Sequence, residues 1–446
     1  MANVIIDFSK KTGKVKPMHA VNNGPVYRFA ASTRDNNIEE FREAGIPYAR
    51  NHDASFYAAY GGEHTVDVHN IFTNFDNDPE DPASYDFAMT DEYVRVCEFA
   101  GVKTFYRLGS KIEHGIKKYG TLVPKDFKKW AVIAEHIVRH YTEGWADGFR
   151  YDMKYWEIWN EPDLGADRTT WGGTDEEFFE FYAVVYKHLK SCFPHLKIGG
   201  PACCKINDDW IVRFFDSLKK NGIKPDFFSW HRYRPTVEVV QENIRRIRRI
   251  LDEYGFFETE SILDEWNYVK GWNGEDWLYS LRTDKNHKGA AFVAAVMEMA
   301  QSEPVDMLMY YDARPSCMNG LFSTDIVSDK LKGYYSFYAF NKLYRLGTAV
   351  EAKSDTENLY VCAATNDTEA AVMLTHYSDE EKDAVDVSLS LSSLGADDGC
   401  EIEYYLLDQT HNLDLVFKAT YYGDKFVPTL NMPNYTTYLI KVRKKV

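Results

Sequence analysis

Between about residues 18 and 347 the chain alternates two hydrophobic rhythms. Short β-rich runs are separated by longer stretches whose apolar residues recur every three or four positions, the signature of βα units around a parallel sheet. The runs are the region of Val21, Tyr48-Ala49-Arg50-Asn51-His52, Lys103-Thr104-Phe105-Tyr106-Arg107-Leu108, Tyr155-Trp156-Glu157-Ile158-Trp159-Asn160, Lys197-Ile198-Gly199-Gly200, Phe227-Phe228-Ser229-Trp230-His231, Ser261-Ile262-Leu263-Asp264-Glu265 and Met307-Leu308-Met309-Tyr310-Tyr311. Eight such runs predict an α/β fold, a closed (β/α)8 TIM barrel rather than an open doubly wound sheet. The clearest helix is predicted to begin at Pro124, a residue suited to a first turn, and to carry Phe127, Trp130, Ala134, Ile137, Val138 and Tyr141 on one stripe. A second keeps Val240, Ile244, Ile247, Leu251 and Tyr254 at helical spacing, which places the basic run Arg245-Arg246-Ile247-Arg248-Arg249 on its solvated face.

After Gly347 the rhythm changes to short alternating runs with polar turns between them: Leu359-Tyr360-Val361-Cys362-Ala363, Ala371-Val372-Met373-Leu374, Ile402-Glu403-Tyr404-Tyr405-Leu406 and Thr437-Tyr438-Leu439-Ile440-Lys441-Val442. This pattern predicts an accessory β-sandwich. Val4-Ile5-Ile6-Asp7-Phe8 precedes the barrel and looks like one more strand of that domain. The expected division is a catalytic barrel over 18–347 and a sandwich over 348–446, completed by the segment 1–17.

The net charge of −16 argues against nucleic acid as a partner, because phosphate backbones are held by dense Lys/Arg surfaces. The start of the chain lacks the basic and apolar regions of a signal peptide, and no run of about 18 apolar residues suggests a membrane span, so a cytoplasmic protein without a membrane partner is expected. Seven scattered cysteines without Cys-x-x-Cys spacing indicate neither a disulfide framework nor a zinc cage. No metal is expected either: the acidic run Asp76, Asp78, Glu80, Asp81 lacks the glycine and terminal glutamate of a calcium loop. Aromatic residues reach 15%, a surplus that suits a site stacking flat apolar faces, although most of it belongs to the core.

Barrel enzymes collect reactive groups where the strands end. Glu161 ends the fourth run in Trp159-Asn160-Glu161-Pro162-Asp163-Leu164, and Glu265 ends the seventh in Leu263-Asp264-Glu265-Trp266-Asn267. They stand 104 residues apart, and three βα units of about 31 residues span about 94, so both are expected at one mouth. Two carboxyls about 5–5.5 Å apart are what a retaining glycosidase needs, one to protonate the leaving oxygen and one to attack the anomeric carbon.

Trp-Asn-Glu-Pro on the fourth strand with Glu on the seventh resembles the clan A glycoside hydrolases. Arg50-Asn51-His52, Tyr85-Asp86-Phe87 and His231-Arg232-Tyr233 make the wider pattern similar to family 39, which contains β-xylosidases. The Asp264-Glu265-Trp266-Asn267 stretch looks more like the family 51 arabinofuranosidases, whereas the Pro after the acid does not. The resemblance implies a double displacement with Glu161 as acid/base and Glu265 as nucleophile. Glu161 acts as an acid only while it carries a proton, which burial or a charged Glu265 nearby favours. Asn160 is implied as the holder of the sugar 2-hydroxyl, His52 as a ligand of the innermost sugar, and His231 and Tyr233 as groups orienting Glu265 or the sugar. Trp266, Trp230 and Tyr311 are candidate stacking walls.

The function so implied is retaining exo-hydrolysis of short pentose-containing oligosaccharides, β-xylosidase-like and without a cofactor, the oligosaccharide being the partner. An α-L-arabinofuranosidase is the alternative. A uronidase would need cations aimed at a carboxylate, for which Arg107, Arg232, Arg234 and Arg314 are candidates, and a non-catalytic carbohydrate-binding protein is the reading from another class. The sandwich could brace the barrel or build a homo-oligomer contact.

Overall fold

Eight parallel strands close on themselves. In the computed structural model, which describes residues 1–27, 35–52, 66–109, 121–164, 170–396 and 398–444, β1 (Ala2–Lys14) is followed by the barrel strands β2 (Ala20–Asn22), β3 (Tyr48–Arg50), β4 (Lys103–Leu108), β5 (Tyr155–Ile158), β6 (Lys197–Cys203), β7 (Phe227–Tyr233), β8 (Glu260–Asn267) and β9 (Met307–Tyr310). They run in order around the barrel, and β2 pairs with β9 to close it, Ala20 opposite Met309 and Val21 opposite Tyr310. The eight expected runs are these eight strands.

Alternation along each strand sorts the barrel interior into layers. Ala20, Phe105, Tyr155, Phe227, Ile262, Met307 and Met309 form one buried apolar cluster with Tyr48 packed against it. Two residues further along the same strands, the inward series turns polar: Asn22, Arg50, Glu157 and Asp264 meet in a single hydrogen-bonded and ionic network. The floor of the barrel is therefore apolar, and its charged layer lies toward the ends where the strands stop.

The helices follow their apolar stripes. The first of those expected spans Phe127–Thr142, not Pro124 onward, because the Asp126 carboxylate accepts from the backbone N–H groups of Lys128 and Lys129, at 2.9 and 3.0 Å, and fixes the cap there. Asp175–Cys192 begins with a reciprocal capping box between Thr174 and Glu177. On Val237–Glu253 the apolar positions are buried, while Arg245, Arg246 and Arg248 pair with Glu303, Asp208 and Asp252.

The second domain is mostly antiparallel. It adds β10 (Thr348–Ser354), β11 (Leu359–Thr365), β12 (Glu369–His376), β13 (Val385–Ser392), β14 (Cys400–Leu407), β15 (Asn412–Tyr421), β16 (Lys425–Phe426), β17 (Thr429–Met432) and β18 (Thr436–Lys444). One hydrogen-bonded path runs β15-β14-β18-β12-β11-β10-β1-β13-β16, with β17 on β13. β1 joins it antiparallel to β10 and parallel to β13, and Val4, Ile6 and Phe8 enter the domain's own core with Val372, Leu389, Ile402 and Ile440. The domain is tied to the barrel by Thr375 Oγ1 donating to buried Glu298 at 2.7 Å, by Tyr377 donating to the Pro235 carbonyl, and by Asp379, which accepts from Tyr268 and pairs with Lys288. Among the described residues no helix is long and apolar enough to cross a membrane.

His19, just before β2, gives the fold an acid-sensitive point. It is fully buried, its Nε2 donates to the Gly45 carbonyl at 3.1 Å, and it packs against Phe340 and Tyr344. Burial pulls its pKa down to about 3. The unfolded chain therefore takes up this proton between about pH 6.5 and 3 while the folded chain does not, and stability falls with pH through that window, by roughly 5 kcal/mol across all of it. Urea titrations between pH 7 and 4 are expected to show a shallower loss for His19→Gln than for wild type. Parallel curves would show that His19 titrates alike in both states.

Candidate active site

Glu161 is placed by a sharp turn at the end of β5. Trp159 and Glu161 both occupy the left-handed region, at φ +74° and +49°, which is strained for side chains of that size. The surroundings hold them there. Trp159 N–H donates to the Leu108 carbonyl at 2.7 Å and its indole to the Thr170 carbonyl at 2.9 Å, Glu161 N–H donates to the Ala202 carbonyl at 2.9 Å, and the Thr170 hydroxyl donates to the Glu161 carbonyl. The approach of β6 beneath this turn depends on Gly200, which has φ +129° and where a Cβ would stand 2.7 Å from the Ile158 carbonyl oxygen.

Glu265 is placed by an irregularity in β8. Leu263 pairs with Trp230, but the next pair is Glu265 with His231, so Asp264 is an extra residue and both carboxylates reach the barrel interior. Arg50 binds them together. Its Nε donates to Glu157 at 2.7 Å and lies 3.2 Å from Asp264, its Nη1 donates to Glu265 at 2.8 Å and Asn22 at 3.0 Å, and its Nη2 donates to the Asn160 side-chain oxygen at 2.7 Å. The other Glu265 oxygen accepts from the Tyr233 hydroxyl at 2.7 Å.

His231 bridges the two candidate catalytic groups. Its Nδ1 lies 2.8 Å from a Glu161 oxygen and 3.4 Å from a Glu265 oxygen, and its Nε2 is 3.6 Å from Asp264. One oxygen of Glu161, one of Glu265 and one ring nitrogen of His231 all lie within 4.8 Å of one another.

The charges form a graded set. Burial alone would lower His231, but Glu265, Asp264 and Glu161 overcome it and hold the imidazole well above its ordinary value, hence protonated. Burial would raise Asp264, yet Arg50 and His231 keep it below the usual carboxylate range. Glu157 has no such surplus: burial and the adjacent Asp264 carry it up to about 8 despite Arg50, so at neutral pH it holds the proton of this pair. Burial, with Glu161 beside it, holds Glu265 above its ordinary value, against the opposing pull of His231, Arg50 and the Tyr233 hydroxyl.

The structure gathers Glu161, Glu265, Asn160, His52, His231, Tyr233 and Tyr311. His52 Nε2 is 3.6 Å from Glu265 and its ring meets Tyr311 edge-on at 5.9 Å; Tyr311 in turn lies 6.2 Å from Tyr233. Among the described residues, buried Asn160 Nδ2 has no protein partner while its oxygen is held by Arg50, which leaves a donor available to a ligand. Trp266 does not join them: with Glu265 facing inward, the next residue points out and packs on Tyr310 and Phe292. Trp230 is likewise fully buried, donating to Ser261 Oγ. Arg107 is locked below the mouth by Asp67 and the His52 carbonyl, Arg314 lies 3.7 Å from Asp312, Arg234 donates to the Tyr233 carbonyl, and Arg232 is half-buried.

Sequence reading missed Arg50, Asp264 and Glu157 as parts of the site. The available signal was a charged side chain at inward positions of short barrel strands, where the period of two demands an apolar residue or a paired charge. As a metal cradle the Glu161, His231 and Glu265 trio is a poor fit, since a protonated imidazole offers no lone pair and Arg50 adds a second positive charge. A second trio, Glu135, His188 and Cys192, lies between two outer helices, where Glu135 is already engaged by Arg139 and His188.

Residues 49–308 match the profile "Glycosyl hydrolases family 39". A β-xylosidase from Caldicellulosiruptor saccharolyticus is 28% identical over 243 residues, 52% of this chain and 46% of that protein, so the chain spans about half the length of this relative. Among solved structures, a glucosidase from Croceicoccus marinus superimposes with a TM-score of 0.82 at 20% identity over the whole of both chains. A monomeric β-xylosidase from Caulobacter crescentus CB15 does so at 0.73 and 16%, again over both whole chains. At these identities the two structures speak for the fold, a barrel with a second β domain. The family profile covers more than half of the chain, including both turns that carry Glu161 and Glu265, and on that ground the chain belongs to glycosyl hydrolase family 39.

Proposed function

We propose that the protein hydrolyses glycosides with retention, acting from the end of short pentose-containing oligosaccharides in the manner of a β-xylosidase. The observation that carries this reading is the carboxyl separation: oxygens of Glu161 and Glu265 lie within 4.8 Å. That suits direct attack, whereas inverting enzymes need about 6.5–9.5 Å to admit a water. Glu265 attacks the anomeric carbon while Glu161 protonates the departing oxygen. His231 keeps a proton within hydrogen-bond reach of Glu161, and the same Glu161 then takes a proton from the water that releases the sugar. Arg50 fixes the nucleophile and, through Asn160, the group that meets the sugar hydroxyl beside the reacting carbon. The mechanism as drawn uses only side chains. The barrel of 18–347 carries all of these residues, and the domain of 348–446 with β1 braces it.

Trp266-Asn267 favours an α-L-arabinofuranosidase as the second reading. A panel of nitrophenyl β-D-xylosides, α-L-arabinofuranosides and uronides, followed by NMR of the first-formed anomer, separates them. Turnover is expected to be highest on the xyloside, with the product anomer retained. An inverted product would overturn the mechanism, and sugar binding without turnover on the whole panel would make the protein a lectin-like one.

A further inference from the structure

The loop after β8 and the helix Gly274–Asp284 carry an aromatic pair that the reaction above leaves unused. Trp272 is 48% exposed, and its ring stacks on Trp277 at 5.4 Å with an interplanar angle of 25°. On its other contact, Trp272 meets Tyr233 nearly at right angles, 5.1 Å between centroids. Tyr233 is the residue whose hydroxyl donates to Glu265. The pair is thus joined by one ring to the nucleophile, and it lies at the end of the barrel where β8 stops and the two candidate catalytic residues sit.

An indole left half in water contributes little to the core, where Trp130, Trp156, Trp159, Trp171, Trp210, Trp230 and Trp266 are all buried. Trp277 braces one side of it and Tyr233 fixes its orientation, so Trp272 is held rigidly while part of its surface remains free. A rigid, partly exposed aromatic beside a polar reaction centre is suited to the apolar face of a sugar ring, which offers C–H groups to an aromatic surface while its hydroxyls stay in water. Tyr233 separates this surface from the Glu265 carboxyl by one ring, a spacing that suits the sugar next to the one held at Glu265.

We propose that Trp272, braced by Trp277, is the platform for the sugar on the leaving-group side of the scissile bond. This rests on the exo-acting xylosidase reading, in which the cleaved residue is terminal and every further sugar belongs to the leaving group. The platform gives the enzyme a preference for oligosaccharides over substrates whose leaving group has no ring.

The test compares xylobiose with β-D-xylosyl fluoride, whose leaving group cannot stack. In Trp272→Ala the ratio of kcat/KM for xylobiose to that for xylosyl fluoride is expected to fall about tenfold, and Trp272→Phe is expected to restore most of it. Circular dichroism checks that both variants are folded. A ratio unchanged from wild type in Trp272→Ala would overturn the platform. So would a loss of equal size on both substrates, because it would mean that Trp272 acts only by holding Tyr233 and Glu265. Wild-type protein inert toward xylosyl fluoride has a separate meaning: the xylosidase reading itself fails, and the substrate assigned to the platform falls with it.

Discussion

Glu265→Ala is expected to abolish hydrolysis, with kcat falling about 10⁴-fold or more, while the protein stays folded. The change removes a carboxyl from the Arg50 network but leaves ionised Asp264 as a counter-charge and Glu157 as a hydrogen-bond acceptor for that guanidinium, so Arg50 is not stranded as a lone buried charge. Azide or formate, small enough to enter the space vacated by the carboxylate, should restore part of the turnover. The product then carries inverted configuration, because a single displacement by the added anion replaces the first half of the double one. Retention of more than about a tenth of wild-type activity, a loss under about 1.4 kcal/mol, would falsify the assignment of Glu265 as nucleophile.

The charge pattern around Glu265 explains why its partners matter as a group. Arg50 and His231 bring two positive charges into a layer whose side chains are almost wholly buried. Asp264 supplies a negative charge against them and Glu265 a second once it ionises, while Glu157 remains neutral by keeping its proton. Each ion is thereby matched in a region where an unmatched one would cost several kcal/mol. Removing Arg50 would unbalance this set twice over, freeing both the Glu265 carboxyl and the Asn160 amide that it orients.

The barrel was legible in the sequence because each inner strand is a short β-rich run bounded by polar turns, and the spacing of Glu161 and Glu265 needed only a count of units. The start of the Phe127–Thr142 helix was not, since the capping carboxylate of Asp126 competes with the first-turn preference of Pro124 and prevails. Trp266 was misplaced for a reason of period. Once Glu265 faces the interior, its neighbour faces the helices, and an aromatic beside a reactive group is then core. Arg50 escaped notice as a site residue because its partners, Glu157, Asp264 and Glu265, lie on strands that come together only when the barrel closes. The irregularity that brings Glu265 inward beside Asp264 is a matter of pairing register, which no single strand reveals.

Glu161→Ala should separate the two jobs of one residue, because leaving groups differ in how much help they need. A dinitrophenolate departs without protonation, so the variant is expected to form the glycosyl-enzyme from a dinitrophenyl xyloside at a useful rate, while xylobiose hardly reacts, with kcat/KM down about 10³-fold or more. His231 is not expected to substitute for the lost acid, since its ring is held between the Glu161 turn and Asp264 by its Nδ1 and Nε2 contacts. Release of the sugar from Glu265 still needs a base to activate water. The intermediate therefore accumulates: a burst of dinitrophenol, a lowered apparent KM, and a mass increment of one sugar on the peptide containing Glu265 are expected. Azide should speed the slow step, as an anion attacks without losing a proton. Equal losses on both substrates, with no burst and no adduct, would mean that Glu161 only shapes the turn after β5 and that the double displacement has to be abandoned.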